Sequence, residues 1–275
     1  MRALRLLGST LSTTALVAVG VGMLVPLLWM LLLSLKQFPE QYRTVSELLA
    51  APTTFVNYAD AWTSDNFLGY FLNSVLVASA VTLGNIVFCL VVGYALARRR
   101  FIGKTLLVGT VLGVLVIPQQ VIMIPLYRLM AEFGWINTYW ALIVPWLVTP
   151  FGVFFMRQYI MNIPSDIEDA ARIDGAGEWY VIFRIVMPLA QPALTVLAIY
   201  AFLSNWNSFL FPFLFVNDEA HRTLPVGLAF YLGKQSIDWG HLMAGASMSA
   251  LPILVMFVLF QRRIIQGLTA GALKE

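Results

Sequence analysis

The chain has 275 residues, of which 60% are hydrophobic and only 11% charged, with a mean hydropathy of +0.80. An ordinary soluble domain is about a quarter charged, so a water-soluble globular protein is excluded, and the low charge with 13% aromatic residues excludes disorder. The single cysteine, Cys89, excludes a disulfide-stapled secreted fold, and the net charge of +3 marks topology rather than nucleic-acid binding because the basic residues flank apolar runs.

In chain order, Arg2 and Arg5 precede a charge-free interval, 6–35, too long for the apolar part of a secretory signal; it reads as an uncleaved first membrane span. Five more charge-free intervals follow, 66–97, 105–127, 133–156, 185–217 and 239–261. Each exceeds the roughly 20 residues that a helix needs to cross a bilayer core. Their apolar runs are continuous rather than alternating, which excludes an outer-membrane barrel. The expectation is an all-α integral membrane protein with six transmembrane helices, one domain over 1–275. With six spans the termini share a side, and twelve of the 17 Lys and Arg fall on it, Arg98-Arg99-Arg100 among them. The positive-inside rule then puts both termini in the cytoplasm. Between the spans, 36–65 reads as an ordered outer loop through Pro39, Pro52 and Asn57, 128–135 as a short outer turn, and 157–187 as an inner loop. Prolines such as Pro118, Pro145, Pro150 and Pro192 recur within the spans, where neighbouring helices or cavities satisfy the freed backbone groups.

The inner loop 157–187 holds Asp166, Glu168, Asp169, Asp174 and Glu178 with Arg157, Arg172 and Arg184. One central Asp or Arg costs roughly 2.5–3.5 kcal/mol in a membrane, so this segment stays out of lipid. Pro164 stops the preceding element, and Ser165-Asp166-Ile167-Glu168 reads as a capping box, its hydroxyl and carboxylate closing free backbone N–H groups. Gly175 supplies a left-handed helix end. Ile167, Ala170, Ala171 and Asp174 share one face of this short helix; a second helix carries a stripe of Trp179, Ile182, Phe183 and Val186. Together they form a small, polar-rimmed knob.

Glu168-Asp169-Ala170-Ala171, continued by Asp174-Gly175-Ala176 and Pro188, strongly resembles the EAA motif of bacterial ABC-importer permeases, with Asp169 where many members carry Glu or Ala. Asn57-Tyr58, Asn73-Ser74, the run from Tyr94 to Arg98, Pro125-Leu126-Tyr127, the run from Trp206 to Phe209 and 267–272 extend the likeness along nearly the whole chain. It is similar to the carbohydrate type, the smaller permease subunit of maltose/oligosaccharide importers, with glycerol-3-phosphate and amino-sugar importer permeases as the alternative. The resemblance implies that the loop between the fourth and fifth spans is a coupling helix docking into a groove on an ATP-binding subunit. Glu168, Ala170, Ala171, Asp174, Gly175, Ala176 and Pro188 are its coupling residues. It also implies a second, related permease, two ATP-binding subunits holding ATP and Mg2+, an extracytoplasmic solute-binding protein, and residence in the bacterial cytoplasmic (inner) membrane.

The chain itself offers no energy source. Gly103-Lys104-Thr105 lacks the glycine that a phosphate loop places five residues before its second glycine; Arg98 stands there. His221, His241 and Cys89 have no metal-ligand spacing, so no enzyme activity, metal or cofactor is expected of this chain alone. An independent secondary transporter would need intramembrane acids, and the six intervals hold none. For the substrate path, Asn73, Asn85, Gln119, Gln120, Asn205, Trp206 and Asn207 are the polar groups that face either a cavity or another helix; the resemblance favours Trp206-Asn207. In the outer segment 217–238, Pro225, Phe230 and Tyr231 either meet the binding protein or pack on the chain itself.

Overall fold

A computed structural model describes residues 2–64, 66–231 and 238–270, with side chains over 13–63, 66–231 and 238–261. Lys234 and Lys274 of the charge bias lie outside the described residues, as do the side chains of Arg2, Arg5, Arg262, Arg263 and 267–272. Every described helix, turn and loop is free of strand structure. The chain divides into two compact units, Met1–Leu68 with Gly227–Leu251, and Gly69–Val226 with Pro252–Glu275.

The first unit opens with α1 (Arg2–Ser34), about 50 Å long at 1.5 Å per residue. From Thr13 to Ser34 it is apolar all round, and the chain covers none of its most hydrophobic stretch, as suits a lipid-facing span. It ends where the Ser34 hydroxyl donates to the Leu31 carbonyl (2.7 Å) and pairs with the Tyr58 hydroxyl (2.7 Å). Asn57 staples the loop that follows, its amide donating to the carbonyls of Ser34 and Lys36 (2.9 and 2.8 Å). The buried Lys36 ammonium donates to the carbonyls of Leu49 and Ala51 at the C-terminal end of α2 (Val45–Ala50), where the helix dipole favours a cation. At the other end of α2, Thr44 is extended and its Oγ1 accepts from the Glu47 N–H (3.2 Å), while the Glu47 carboxylate accepts from the Arg43 N–H (3.0 Å). With α3 (Val56–Ser64) this gives an ordered segment over 36–64, within the outer loop expected over 36–65.

The second unit takes up the chain from the third residue of α4 (Phe67–Gly84), which with a π-helical turn at Asn85–Cys89 and α5 (Leu90–Arg98) continues as one 32-residue span. α6 (Lys104–Val116) stops after 13 residues. Pro118 has no N–H to donate and holds Ile117 extended (φ −78°, ψ 123°). The chain turns through 98° into a 3-10 turn at Gln119–Ile122 and α7 (Met123–Glu132). The single span expected over 105–127 is therefore a bent pair, and Arg128, expected in a turn, lies inside α7. The next span, Tyr139–Met161, joins α8 (Tyr139–Ile143), a 3-10 turn at Val144–Trp146 and α9 (Pro150–Met161), which is capped by Thr149 Oγ1 accepting from the Gly152 N–H (3.2 Å). Gly93 lets α5 lie hard against α9, since a Cβ there would stand 2.8 Å from the Met156 Cβ. Such close packing is what holds helices together in lipid, whose tails are as apolar as leucine.

α10 (Asp166–Ile173), α11 (Glu178–Tyr180), a π-helical turn at Val181–Val186 and α12 (Met187–Leu189) lead into an 82° bend and α13 (Gln191–Trp206). The span expected over 185–217 falls on this second bent pair, Glu178–Leu189 with Gln191–Trp206, of which α13 is 16 residues and about 24 Å long. Pro188 and Pro192 flank the bend, and the chain leaves α13 at Asn207 before α14 (Leu210–Phe215). The expected stripe of Trp179, Ile182, Phe183 and Val186 is also corrected. In the π turn, with its i→i+5 bonding, Val181, Ile182 and Val186 are buried, and Trp179 is 66% exposed. α15 (Leu224–Tyr231) and α16 (Trp239–Ala270) complete the described chain. Among the described residues, four helices are long and apolar enough to cross a membrane, Thr13–Ser34, Phe67–Arg98, Tyr139–Met161 and Trp239–Gln261, or six if each bent pair is one span.

Candidate functional site

The helix breaks of the second unit open a cleft of about 460 Å³. Its walls are the end of α6 with Pro118 and Gln119, the turn from Pro145 to Phe151, and one face of α13 continued by Ser208 and Phe211. Gln119, Thr149, Ser204, Asn205 and Ser208 bring amides and hydroxyls; Trp146, Phe151, Tyr200 and Phe211 bring rings, and none of the lining residues carries a charge. The rings brace one another, Trp146 edge-on to Phe211 (4.7 Å) and Phe151 tilted against Tyr200 (4.5 Å). Asn85 forms the floor of this wall, fully buried on the π turn. Its amide donates to the Trp146 carbonyl (2.7 Å) and to Val81 O (3.1 Å), and its Oδ1 accepts from the Thr149 hydroxyl (2.7 Å).

Of the polar residues expected on the substrate path, Asn85, Gln119 and Asn205 line the cleft. Gln120 and Asn207 are exposed elsewhere, Asn207 donating to Leu203 O at the end of α13. Trp206 is not in the wall: it is buried, edge-on to Phe71 (5.5 Å) and stacked on Phe202 (5.7 Å). Asn73 is a fastener instead. Its amide donates to the carbonyls of Ala220 and Arg222 (2.8 and 2.9 Å) and its Oδ1 accepts from the Tyr139 hydroxyl (2.7 Å). Ser74 accepts from the Leu224 N–H (2.7 Å) and Asn137 from the Asn217 N–H (2.6 Å), which straps 217–224 down. Beyond the strap, Pro225 is half-buried and Phe230 exposed, whereas Tyr231 is buried edge-on to His241 (4.9 Å). Thr149, Tyr200, Ser204 and Ser208 were not singled out by polarity alone. For Tyr200 and Ser204 the signal is spacing: 200, 204 and 205 share one face of α13, which Ser208 continues past the helix end, and Trp206 faces away from it.

The knob is built around a buried carboxylate. Glu168 is fully buried: Oε1 accepts from Arg98 Nε (2.7 Å), and Oε2 accepts from the Tyr94 hydroxyl (3.0 Å) and Arg172 Nη2 (3.3 Å). Arg98 also donates to Ile163 O (2.5 Å), and Arg172 to Asp169 (2.7 Å) and to the Tyr94 oxygen (2.7 Å). Arg99 pairs with Glu178. Burial alone would lower the Arg172 guanidinium, but Tyr94, Asp169, Glu178 and Glu168 together carry it above the ordinary arginine value. The capping box expected at Ser165 is absent: Ser165 is already helical (φ −67°, ψ −25°) and its side chain caps nothing.

Gly175 is left-handed (φ 87°), as expected, and ends α10 in a Schellman motif, with the Ala176 N–H on Ala171 O (2.9 Å) and the Gly175 N–H on Arg172 O (3.0 Å). Ala171 and Ala176 turn inward onto the core, so the open face of α10 is Ile167, Ala170, Ile173 and Asp174, with Ile173 86% exposed. Pro188 lies apart from it, in a second, apolar groove of about 630 Å³ that also touches Phe202 and Met256. Lys104, in the phosphate-loop look-alike, donates to the carbonyls of Arg99 (2.9 Å) and Ala97 (3.3 Å).

A family described as binding-protein-dependent transport system inner membrane component matches residues 89–269. An arabinooligosaccharide transport system permease of Halalkalibacterium halodurans is 38% identical, over 90% of each chain. A trehalose/maltose transport system permease of Thermococcus litoralis is 36% identical over 91% of each, and a diacetylchitobiose uptake system permease of Streptomyces coelicolor 33% identical over 97% of this chain and 89% of that one. In fold, the chain superposes on a chain of a bacterial ABC transporter involved in the import of the acidic polysaccharide alginate. The TM-score is 0.82 at 20% identity, covering 95% of this chain and 98% of the other.

Proposed function

The chain belongs to the family of binding-protein-dependent transport system inner membrane components, and from that premise we propose that it passes neutral carbohydrate through the cleft beside Trp146. It is a permease subunit of an ABC importer and not itself an enzyme; ATP hydrolysis lies in partner subunits. The observation that carries the solute reading is the lining of the cleft. Sugars are held by amide and hydroxyl hydrogen bonds together with flat apolar faces, and Gln119, Thr149, Ser204 and Asn205 alternate there with Trp146 and Tyr200, without a charged group. The relatives named for arabinooligosaccharides, trehalose/maltose and diacetylchitobiose support the same class.

The knob is the proposed ATPase contact. Ile167, Ala170 and Ile173 leave an apolar face on a helix flanked by charges, which fits a groove on an ATP-binding subunit; Gly175 and the inward Ala171 and Ala176 fix its angle. Two such subunits, holding ATP and Mg2+, and a second, related permease complete the core in the inner membrane, with both termini cytoplasmic. Closure of the ATP-binding subunits draws the knobs together and opens the cleft outward, where a solute-binding protein, meeting Pro225 and Phe230, delivers its sugar. ATP-driven uptake in proteoliposomes holding the co-purified complex and its binding protein, assayed with trehalose, maltose and arabinobiose against glycerol-3-phosphate, tests this. Uptake of a neutral sugar supports it, and uptake of glycerol-3-phosphate alone overturns it.

A further inference from the structure

Glu168 belongs to the segment that meets the ATPase, yet its carboxylate has turned away from that face. It is fully buried, and its partners Tyr94 and Arg98 both stand on α5, the last part of the Phe67–Arg98 span. Arg98 adds a bond to Ile163 O, just ahead of the knob, and Arg172 closes the set from the next turn of α10. The acids left exposed on and beside α10 are Asp166, Asp169 and Asp174. On the same span, at the far end of the π-helical turn, Asn85 holds the cleft wall at the Trp146 carbonyl and the Thr149 hydroxyl. One helical rod thus carries an ionic grip on the knob at one end and a hydrogen-bonded grip on the cleft at the other.

We propose that Glu168 is a positioning residue for transport: through Tyr94 and Arg98 it makes the Phe67–Arg98 span move with the knob, and Asn85 delivers that movement to the cleft wall. The rod is a route additional to α9 and α12, the chain neighbours of the knob, and the inference rests on the importer reading above. A merely structural Glu168 would hold the loop in shape without linking nucleotide state to the cleft.

The test follows the cleft directly and needs no knowledge of the sugar. In a Cys89→Ala background, Ser204→Cys puts a single thiol on the cleft face of α13, and its labelling by a maleimide is followed in the complex with and without vanadate-trapped nucleotide. Trapping is expected to change the labelling rate about tenfold, within the usual span of coupling between sites. Glu168→Gln, Arg98→Met and their combination should bring that ratio close to one at equal trapped nucleotide, the pair no worse than either alone because both cut the same link. Tyr94→Phe, which removes one hydroxyl and keeps the ring, and Asn85→Ala, which touches only the far end of the rod, should each lower the ratio if Glu168→Gln does not assemble. An undiminished ratio in the variants, with a nucleotide response in the parent, overturns the inference and leaves the importer reading standing. No trapped nucleotide and no response in the parent overturns both.

Discussion

Two stretches of this chain carry the same local signature, a hydroxyl residue three places before a glutamate, and the fold uses them in opposite ways. At Thr44-Val45-Ser46-Glu47 the threonine is extended and both side chains stay with their own backbone. At Ser165-Asp166-Ile167-Glu168 the serine is already helical and the glutamate has left for Arg98, Tyr94 and Arg172. What differs is the set of partners in reach. Glu47 is exposed and its nearest donors are neutral N–H groups. Glu168 lies where water is removed and two guanidinium groups compete, and a charge-assisted bond is about twice as strong as a neutral one. A capping box is therefore decided by tertiary surroundings as much as by its own four residues.

The comparison can be broken by substitution, and the largest effect belongs to Glu168. Glu168→Ala leaves the half-buried Arg98 without its carboxylate and is expected to cost up to about 3–5 kcal/mol, read as a fall in the melting temperature of the detergent-purified protein. A loss under about 1 kcal/mol, typical of an exposed pair, would mean that the carboxylate is not gripped as described. Gly175→Val forces a branched residue into the left-handed region at about 1–2 kcal/mol or more. It should abolish transport and ATPase association while the protein remains in the membrane. Thr44→Ala should cost about 1 kcal/mol, the usual value of a working cap. Ser165→Ala should change stability by less than about 0.5 kcal/mol, because its hydroxyl caps nothing; equal effects at Thr44 and Ser165 would erase the contrast. Asn205→Ala, removing one cleft-lining amide, should raise the half-saturating sugar concentration about two- to tenfold, the worth of one hydrogen bond.

The same lesson sets how much of the fold was legible in the sequence. Charge-free intervals mark where the chain can enter lipid, and α1, the Phe67–Arg98 span and α16 fall within or close to three of them. They do not register where an uncharged run bends, so 105–127 and 185–217 read as single spans although Pro118, Pro188 and Pro192 turn the chain by 98° and 82°. Polarity alone likewise flags residues that need a partner in lipid without saying which. Asn73 finds carbonyls at Ala220 and Arg222, about 150 positions along the chain, whereas Gln119 and Asn205 reach the cleft. The motif from Glu168 to Gly175 was legible because its turn is local: Gly175 is left-handed as its position requires. The destination of the Glu168 carboxylate was not, because Tyr94 and Arg98 lie some seventy residues earlier.

Association with ATP-binding subunits through the knob is tested most directly by purifying the chain from its native membrane in mild detergent and identifying by mass spectrometry what stays bound. A second permease and an ATP-binding subunit should accompany the unaltered protein, and the ATP-binding subunit should be lost from Gly175→Val while the permease partner remains. Recovery of the unaltered chain alone or as a homo-oligomer, with no ATP-binding subunit attached, would contradict the account.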